Sequence, residues 1–267
     1  MTPWRQHLEP LLRPATFKRS NVKGKRPKSI LTLTSTSTSK KTIFIIPGIG
    51  GHVLPYRRMA KCLSETYMVK GIFLPHWTDA TVNCRTIADF AAYFEAHLLP
   101  DDDGVVRILG YSIGGVIAFE AAIKLMNAGR RVHLILFDTA CWALADSVQT
   151  FGTRLDTLGK RAEYALNRTK YTLSGNQWAY AKAALNAAAL NYQPRSLDTQ
   201  LVLIKPETVS ISKRRSFDAQ LGWGKVSKSV KVIHTPGEHG DAYRGANGQN
   251  FARAMADGFD WLQLQVD

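Results

Sequence analysis

The stretch ILGYSIGGVIAFEAA, residues 108–122, decides how this chain is read. It begins inside a hydrophobic run, VVRILGY (105–111), and passes through Ser112, which is flanked by Gly110, Gly114 and Gly115. It then enters GGVIAFEAAIKLMNAG (114–129), whose composition suits a helix stopping at Gly129. A serine on a sharp turn between a buried strand and a helix holds its hydroxyl clear of the sheet, as a nucleophile must. A Gly-x-Ser-x-Gly match alone is weak, and its strength here comes from the strand before it and the helix after it. Two plainer readings compete: an incidental serine in a tight turn, or a phosphate-binding turn at a helix N-terminus. The second is the poorer, because neither GxGxxG nor GxxxxGK[ST] is present.

Outward from this turn, short apolar runs alternate with helical patterns, the signature of a mainly parallel sheet covered by helices. TIFIIP (42–47), YMVKGIFL (67–74), VHLILFD (132–138), TQLVLIKP (199–206) and VKVIHTPG (230–237) read as further strands. YRRMAKCLSE (56–65), TIADFAAYFEAHL (86–98) and NFARAMADGFDWLQLQ (250–265) read as helices; in the second, Ile87, Phe90, Ala91, Phe94 and Leu98 fall at helical spacing. Between about 140 and 198 the alternation lapses. The clearest pattern there is helical, WAYAKAALNAAALNY (178–192), so the segment reads as a lid insertion over a site.

Bulk properties set the frame. A chain of 267 residues, 45% apolar, can bury one large α/β core. No run approaches the roughly 20 apolar residues that span a bilayer. The opening MTPWRQHLEPLL lacks a continuous apolar segment and carries Glu9, so a cleaved secretory leader is not expected and a cytoplasmic location is. Cys62, Cys84 and Cys141 show neither CxxC nor Cys/His ligand spacing, against a disulfide framework and against a zinc site. The net charge of +14 is uneven: residues 1–41 hold ten lysines and arginines against Glu9 alone, which leaves the remainder near +5. This basic, Ser/Thr-rich segment reads as a flexible arm, with a short strand at Ile30–Thr34, ahead of a domain spanning 42–267. No aromatic-interleaved basic platform accompanies the charge, so nucleic acid is not the expected partner.

A serine nucleophile needs a base and an acid to orient that base. Of the seven histidines, His7 lies in the arm, His97 in a helix, and His133 and His234 in strands. His52 and His76 follow early strands, where a pocket could form. His239, in TPGEHGDAY (235–243), follows the last strand, where the base of a Ser–acid–His order falls. Two acids compete: Asp138 ends the strand after the nucleophile helix, and Glu207 ends the penultimate one. Both lie at the edge where open α/β sheets build their sites, and spacing does not choose between them.

Three separated blocks, in order, resemble the thioesterase domains that end nonribosomal peptide and polyketide synthases, within the α/β-hydrolase superfamily. They are IFIIPGIGGHVLPYRRMAKCL (43–63), VVRILGYSIGGVIAFEAAIKLMNAGRRVHLILFDTA (105–140) and LGWGKVSKSVKVIHTPGEHGDAY (221–243). The resemblance covers about 42–262 and leaves the basic arm outside. It implies an α/β-hydrolase fold and the trio Ser112, Asp138 and His239, with Asp138 rather than Glu207 as the acid. It also implies an oxyanion hole from the backbone N–H of Ile113 and of Ile49, with Gly48 a neighbouring alternative. Gly240-Asp241, after His239, departs from the bulkier residues usual there, and Asp241 is a candidate to interact with the base or with a helix N-terminus. No carrier-protein signature is present, so the chain reads as a stand-alone enzyme.

The implied activity is release of an acyl, polyketide or peptidyl chain from a phosphopantetheine thioester through an acyl-serine, by hydrolysis or cyclisation, with no cofactor of the enzyme's own. The implied partner is an acyl or peptidyl carrier protein of acidic character. Lys213, Arg214 and Arg215, with Arg154, Lys160, Arg161 and Arg168 of the insertion, suit docking to it and equally suit plain solvated faces. Trp142, Trp178 and Tyr180 could line an acyl channel or simply pack the core. Competing functions are a carboxylesterase or lipase of the same fold, and a non-catalytic adaptor using the basic arm.

Overall fold

The computed structural model describes residues 29–34, 41–74, 84–144, 177–208 and 218–265, with isolated helical positions between 159 and 170. In chain order its elements are β1 (Ile30–Thr32), β2 (Thr42–Ile46), α1 (Arg57–Lys61), β3 (Met68–Ile72), α2 (Ile87–Glu95), β4 (Val105–Tyr111), α3 (Ile113–Asn127), β5 (Arg131–Phe137), α4 (Gln177–Asn191), β6 (Leu197–Pro206), β7 (Ser227–Thr235) and α5 (Gly245–Leu264). The strands form one sheet in the order β1-β3-β2-β4-β5-β6-β7. All neighbouring pairs are parallel except β1 with β3. A mainly parallel sheet with helices on both faces is the expected α/β-hydrolase architecture.

Strict alternation along the central strands divides the core into two layers. Val106 and Ile108 of β4 and Leu134 and Leu136 of β5 face α2 and α3, where Phe90, Phe94, Phe119 and Trp223 fill the layer. Leu109, Tyr111, Ile135 and Phe137 face the other way, against Met59 of α1 and Phe251, Met255 and Phe259 of α5. Fully burying each such side chain contributes about 1.5–3 kcal/mol, so these two layers dominate the fold's stability. The start of α2 is fixed locally: the Thr86 hydroxyl accepts the Asp89 N–H at 3.2 Å, and the Asp89 carboxylate accepts the Thr86 N–H at 2.9 Å.

Two expectations need correction. The segment read as a flexible arm holds the short strand expected at Ile30–Thr34, found as Ile30–Thr32, but residues 29–34 are built into the sheet as its edge. Leu33 is buried and donates its N–H to Val69 O at 2.8 Å, and Ser29 O accepts from the Phe73 N–H at 2.9 Å. Ile30, Leu31 and Leu33 supply enough apolar surface to dock there despite the surrounding charge. Helix α1 ends at Lys61, well short of Glu65. The Ser64 hydroxyl donates to Lys61 O at 2.8 Å, closing the chain into turns before β3.

Of the insertion, α4 is described. Leu185 and Ala188 pack into the α2/α3 layer, and Tyr180 is buried too. Its exit is anchored to α3: the buried Glu120 carboxylate accepts from the Tyr192 hydroxyl and the Arg195 guanidinium, each at 3.0 Å. The side chains of Trp142 and Trp178, and Arg154, Lys160, Arg161, Arg168, Lys213, Arg214, Arg215, His7 and His76, lie outside the described residues. Among the described residues, no helix is long and apolar enough to cross a membrane.

Candidate active site

Strands β4 and β5 lie side by side with Tyr111 opposite Phe137, so the residue after each emerges at the same rim. Those residues are Ser112 and Asp138. Both have left-handed φ, 57° and 39°, rare for residues with side chains. For Ser112 the cause is the abrupt change from strand to helix, a conformation costing about 1–3 kcal/mol that the surroundings must enforce. They do so by close approach. A Cβ on Gly114 would lie 2.2 Å from Pro47 O, and one on Gly110 would lie 2.4 Å from Gly115 Cα. Only glycine lets α3 start this close to β2 and β4. The turn is pinned further: the Ser112 N–H donates to Phe137 O at 2.9 Å, and the Thr139 hydroxyl donates to Ser112 O at 2.9 Å.

His239 arrives from the turn after β7. Its Nδ1 lies 2.7 Å from Asp138 Oδ2, and its Nε2 lies 3.0 Å from Ser112 Oγ. An ionised carboxylate only accepts, so the proton sits on Nδ1 and Nε2 is left to accept from the serine hydroxyl. Asp138 is 0% exposed, whereas the His239 side chain is 29% exposed, so the chain of hydrogen bonds runs from the interior outward. It opens on a cleft of about 230 Å³ whose lining includes Gly48, Ile49, His52, Tyr56 and Tyr243.

The other candidates separate on position. Glu207 is exposed and its N–H donates to Thr235 O at 3.0 Å; the carboxylate on His239 is that of Asp138. His97 Nδ1 is 3.0 Å from Tyr93 O, in the turn just past the end of α2, His234 is exposed on β7, and His133 is buried at the opposite end of the sheet. His52 does line the cleft, while Tyr180 is not in its lining. Ile49 lines the cleft, and Ile113 is the first residue of α3, where a backbone N–H has no acceptor within its own helix. Burial pushes the Tyr56 hydroxyl far above the usual phenol range, an effect that the neighbouring Gly48 backbone partly offsets. Among the described residues, no three His, Cys, Asp or Glu side chains are grouped to hold a metal ion.

Sequence reasoning did not settle three supporting roles. Thr139 braces the Ser112 turn; its signal was a small polar residue facing Gly115 at a strand end. Asp241, expected to meet the base or a helix N-terminus, accepts from the Glu238 N–H at 2.6 Å and from Nδ2 of Asn247, in the first turn of α5, at 3.2 Å, fastening the His239 loop to that helix. Tyr111 donates its hydroxyl to the His239 carbonyl, a contact between residues 128 apart that no local pattern announces.

The sequence pattern of the Thioesterase domain family matches residues 41–255. The chain belongs to this family. Among curated relatives of this thioesterase domain, the conidial pigment polyketide synthase PfmaE of Pestalotiopsis fici is 28% identical over 123 residues, 45% of this chain and 6% of that protein. The nonribosomal peptide synthetase agiA of Aspergillus flavus is 28% identical over 128 residues, 46% of this chain and 2% of that protein. The thioesterase domain thus spans only a small part of the length of these relatives. The same fold occurs in the solved NocB thioesterase domain from the nocardicin cluster, with a TM-score of 0.63 at 20% identity, covering 87% of this chain and 99% of that one. The Vlm2 thioesterase domain gives 0.59 at 21% identity, covering 86% and 96%.

Proposed function

We propose that this thioesterase domain releases an acyl, polyketide or peptidyl chain from a phosphopantetheine thioester, with Ser112 as nucleophile, His239 as base and Asp138 as the acid that orients it. The observation carrying this reading is the continuous chain Asp138–His239–Ser112 ending at an open cleft. Ser112 Oγ attacks the thioester carbonyl while His239 Nε2 takes its proton, and the charge developing on the imidazole is stabilised by Asp138. The tetrahedral oxyanion is received by the N–H groups of Ile113 and Ile49, with Gly48 the neighbouring alternative to Ile49. The C–S bond then breaks, the leaving thiolate collects the proton from His239, and an acyl-serine remains. Water, or a hydroxyl or amine of the chain itself, is deprotonated by the same imidazole and releases the acyl group as an acid or a ring.

The partner proposed is an acidic acyl or peptidyl carrier protein. Helix α1 directly follows Pro55 and Tyr56 of the cleft wall and exposes Arg57, Arg58 and Lys61; Arg244, also exposed, stands 5.4 Å from the ring of Tyr243 in the same wall. Such a rim steers an acidic partner toward the cleft.

The test is intact-mass spectrometry after incubation with a panel of acyl-pantetheine thioesters. The expected result is an acyl adduct on the wild-type protein, its decay into acid or ring, and no adduct on Ser112→Ala. Faster turnover of simple oxygen esters than of thioesters would instead favour a carboxylesterase. Failure of a fluorophosphonate to label Ser112 would leave the adaptor reading.

A further inference from the structure

We infer that Tyr111 is a positioning residue for the base: its hydroxyl holds the His239 main chain at the distance that lets the imidazole bridge Ser112 and Asp138. The inference rests on the triad reading above and extends it to a residue outside the triad.

The argument starts from where His239 sits. The residues after β7 form a sequence of turns whose backbone bonds are local (Asp241 N to Glu238 O at 3.3 Å, Ala242 N to Glu238 O at 3.1 Å and Arg244 N to Asp241 O at 2.8 Å), apart from the Thr208 N–H, which donates to Gly237 O at 3.3 Å and ties the loop to the end of β6. The Asp241 and Asn247 side chains tie this loop to α5. None of these links refers the loop to the strands that carry the nucleophile and the acid. The Tyr111 hydroxyl does, because it donates to the carbonyl of His239 itself.

Tyr111 is well placed to act as that reference. It immediately precedes Ser112 in β4. Its ring stacks on Phe137, with centroids 4.7 Å apart and planes 18° from parallel, and Phe137 immediately precedes Asp138. A single ring is therefore joined to all three members of the triad: by the peptide chain to Ser112, by stacking and register to Asp138, and by a hydrogen bond to His239. Tyr111 is 5% exposed and wedged edge-on between Tyr56 and Tyr243, at 5.4 and 5.6 Å, so it has little room to move. Burial first, then the neighbouring Tyr56, Tyr243, Asp138 and Asp241, push its phenol far above the usual range. The hydroxyl thus stays a donor throughout the pH range in which an imidazole base operates.

The decisive experiment is Tyr111→Phe, which keeps the stacked ring and removes the hydroxyl alone. Turnover of an acyl-pantetheine thioester is measured per site titrated with a fluorophosphonate, so that unfolded protein drops out of the comparison. Released from its tether, the base samples misaligned positions: kcat per titrated site should fall about tenfold and KM stay within about twofold, in line with the steep cost of ångström-scale misplacement. A merely structural tyrosine would lower the number of titrated sites and leave kcat per site unchanged, which overturns the inference. A raised KM with unchanged kcat would make Tyr111 a substrate contact and overturns it too. If Tyr111→Phe does not fold, 3-fluorotyrosine at position 111 alters the donor without removing it; kcat per site must then move while KM does not, and an unchanged kcat overturns the inference. Retained turnover in Ser112→Ala would be a separate failure, of the triad reading itself.

Discussion

Strands β4 and β5 each carry polar residues at both ends, and the two ends are built to opposite purposes. At the C-terminal end Ser112 and Asp138 are held at positive φ, the Ser112 hydroxyl faces a cleft, and its partner His239 comes from a separate loop. At the N-terminal end Arg107 and His133 stand opposite each other in register, both only 2% exposed. Arg107 Nη1 meets Asp101 at 3.0 Å, Nη2 meets Asp103, and Asp101 also accepts the Thr42 N–H at 2.6 Å. One end stores conformational strain behind a reactive atom; the other closes its charges onto each other. The contrast teaches that buried polarity by itself does not mark a reactive centre. What marks it is a strained, accessible atom whose partner arrives from elsewhere in the chain.

The strongest way to break this contrast is at Ser112. Ser112→Ala should reduce thioester turnover by at least about 10⁴-fold, as removal of a serine nucleophile generally does. Ser112→Gly should be equally inactive yet more stable than Ser112→Ala by about 1 kcal/mol in urea titration, because glycine adopts the positive φ freely. Equal stability of the two variants would remove the strain from the comparison. Next comes the acid: Asp138→Asn should lower kcat about 10⁴-fold, while Glu207→Gln leaves it unchanged. The reverse pattern, read by steady-state kinetics, would put the acid on β6.

The other end should respond in stability alone. Arg107→Met strands the carboxylates of Asp101 and Asp103 and should cost about 3 kcal/mol of unfolding free energy, with kcat per titrated site unaltered. A subtler effect belongs to His133. Burial first, and the nearby Arg107 guanidinium second, depress its pKa to about 4, and among the described residues neither ring nitrogen has a hydrogen-bond partner. Because the folded pKa lies below the unfolded value, the folded chain refuses a proton that the unfolded chain accepts. Stability from this group is intact above about pH 6.5 and is lost as the pH falls toward 4, on the order of 2 kcal/mol by pH 5. His133→Leu should flatten that part of the slope in denaturant titrations at pH 7.5 and 5; an unchanged slope would mean that His133 already carries a partner.

The fold was largely legible because its strands are short, nearly continuous apolar runs alternating with helical patterns, and VVRILGY and VHLILFD needed no tertiary information to be recognised. The candidate site was legible as separate parts: a serine in a glycine turn, an acid at the next strand's end, a histidine after the last strand. The choice of Asp138 over Glu207 was not, since both end parallel strands and only the lateral position of His239 distinguishes them; the family resemblance supplied that choice. Contacts between distant side chains, such as Tyr111 with His239, leave no periodic trace. The edge strand at Ile30–Thr32 was half hidden because three apolar residues sit among lysines, serines and threonines, where composition outweighs a short pattern. His133 shows the same blindness in reverse, as a polar residue in a buried strand whose environment comes entirely from neighbours.

That edge strand has a practical consequence. Its antiparallel pairing occupies the backbone groups along the outer side of β3 that would otherwise face solvent as a template for another molecule's strand. The far edge, β7, is guarded differently, by Lys228 and Lys231 on the strand itself. A truncation made ahead of Ser29 keeps both guards, whereas one made at Lys41 strips the first and invites self-association through an open ladder, so crystallisation and expression variants should begin upstream of the strand.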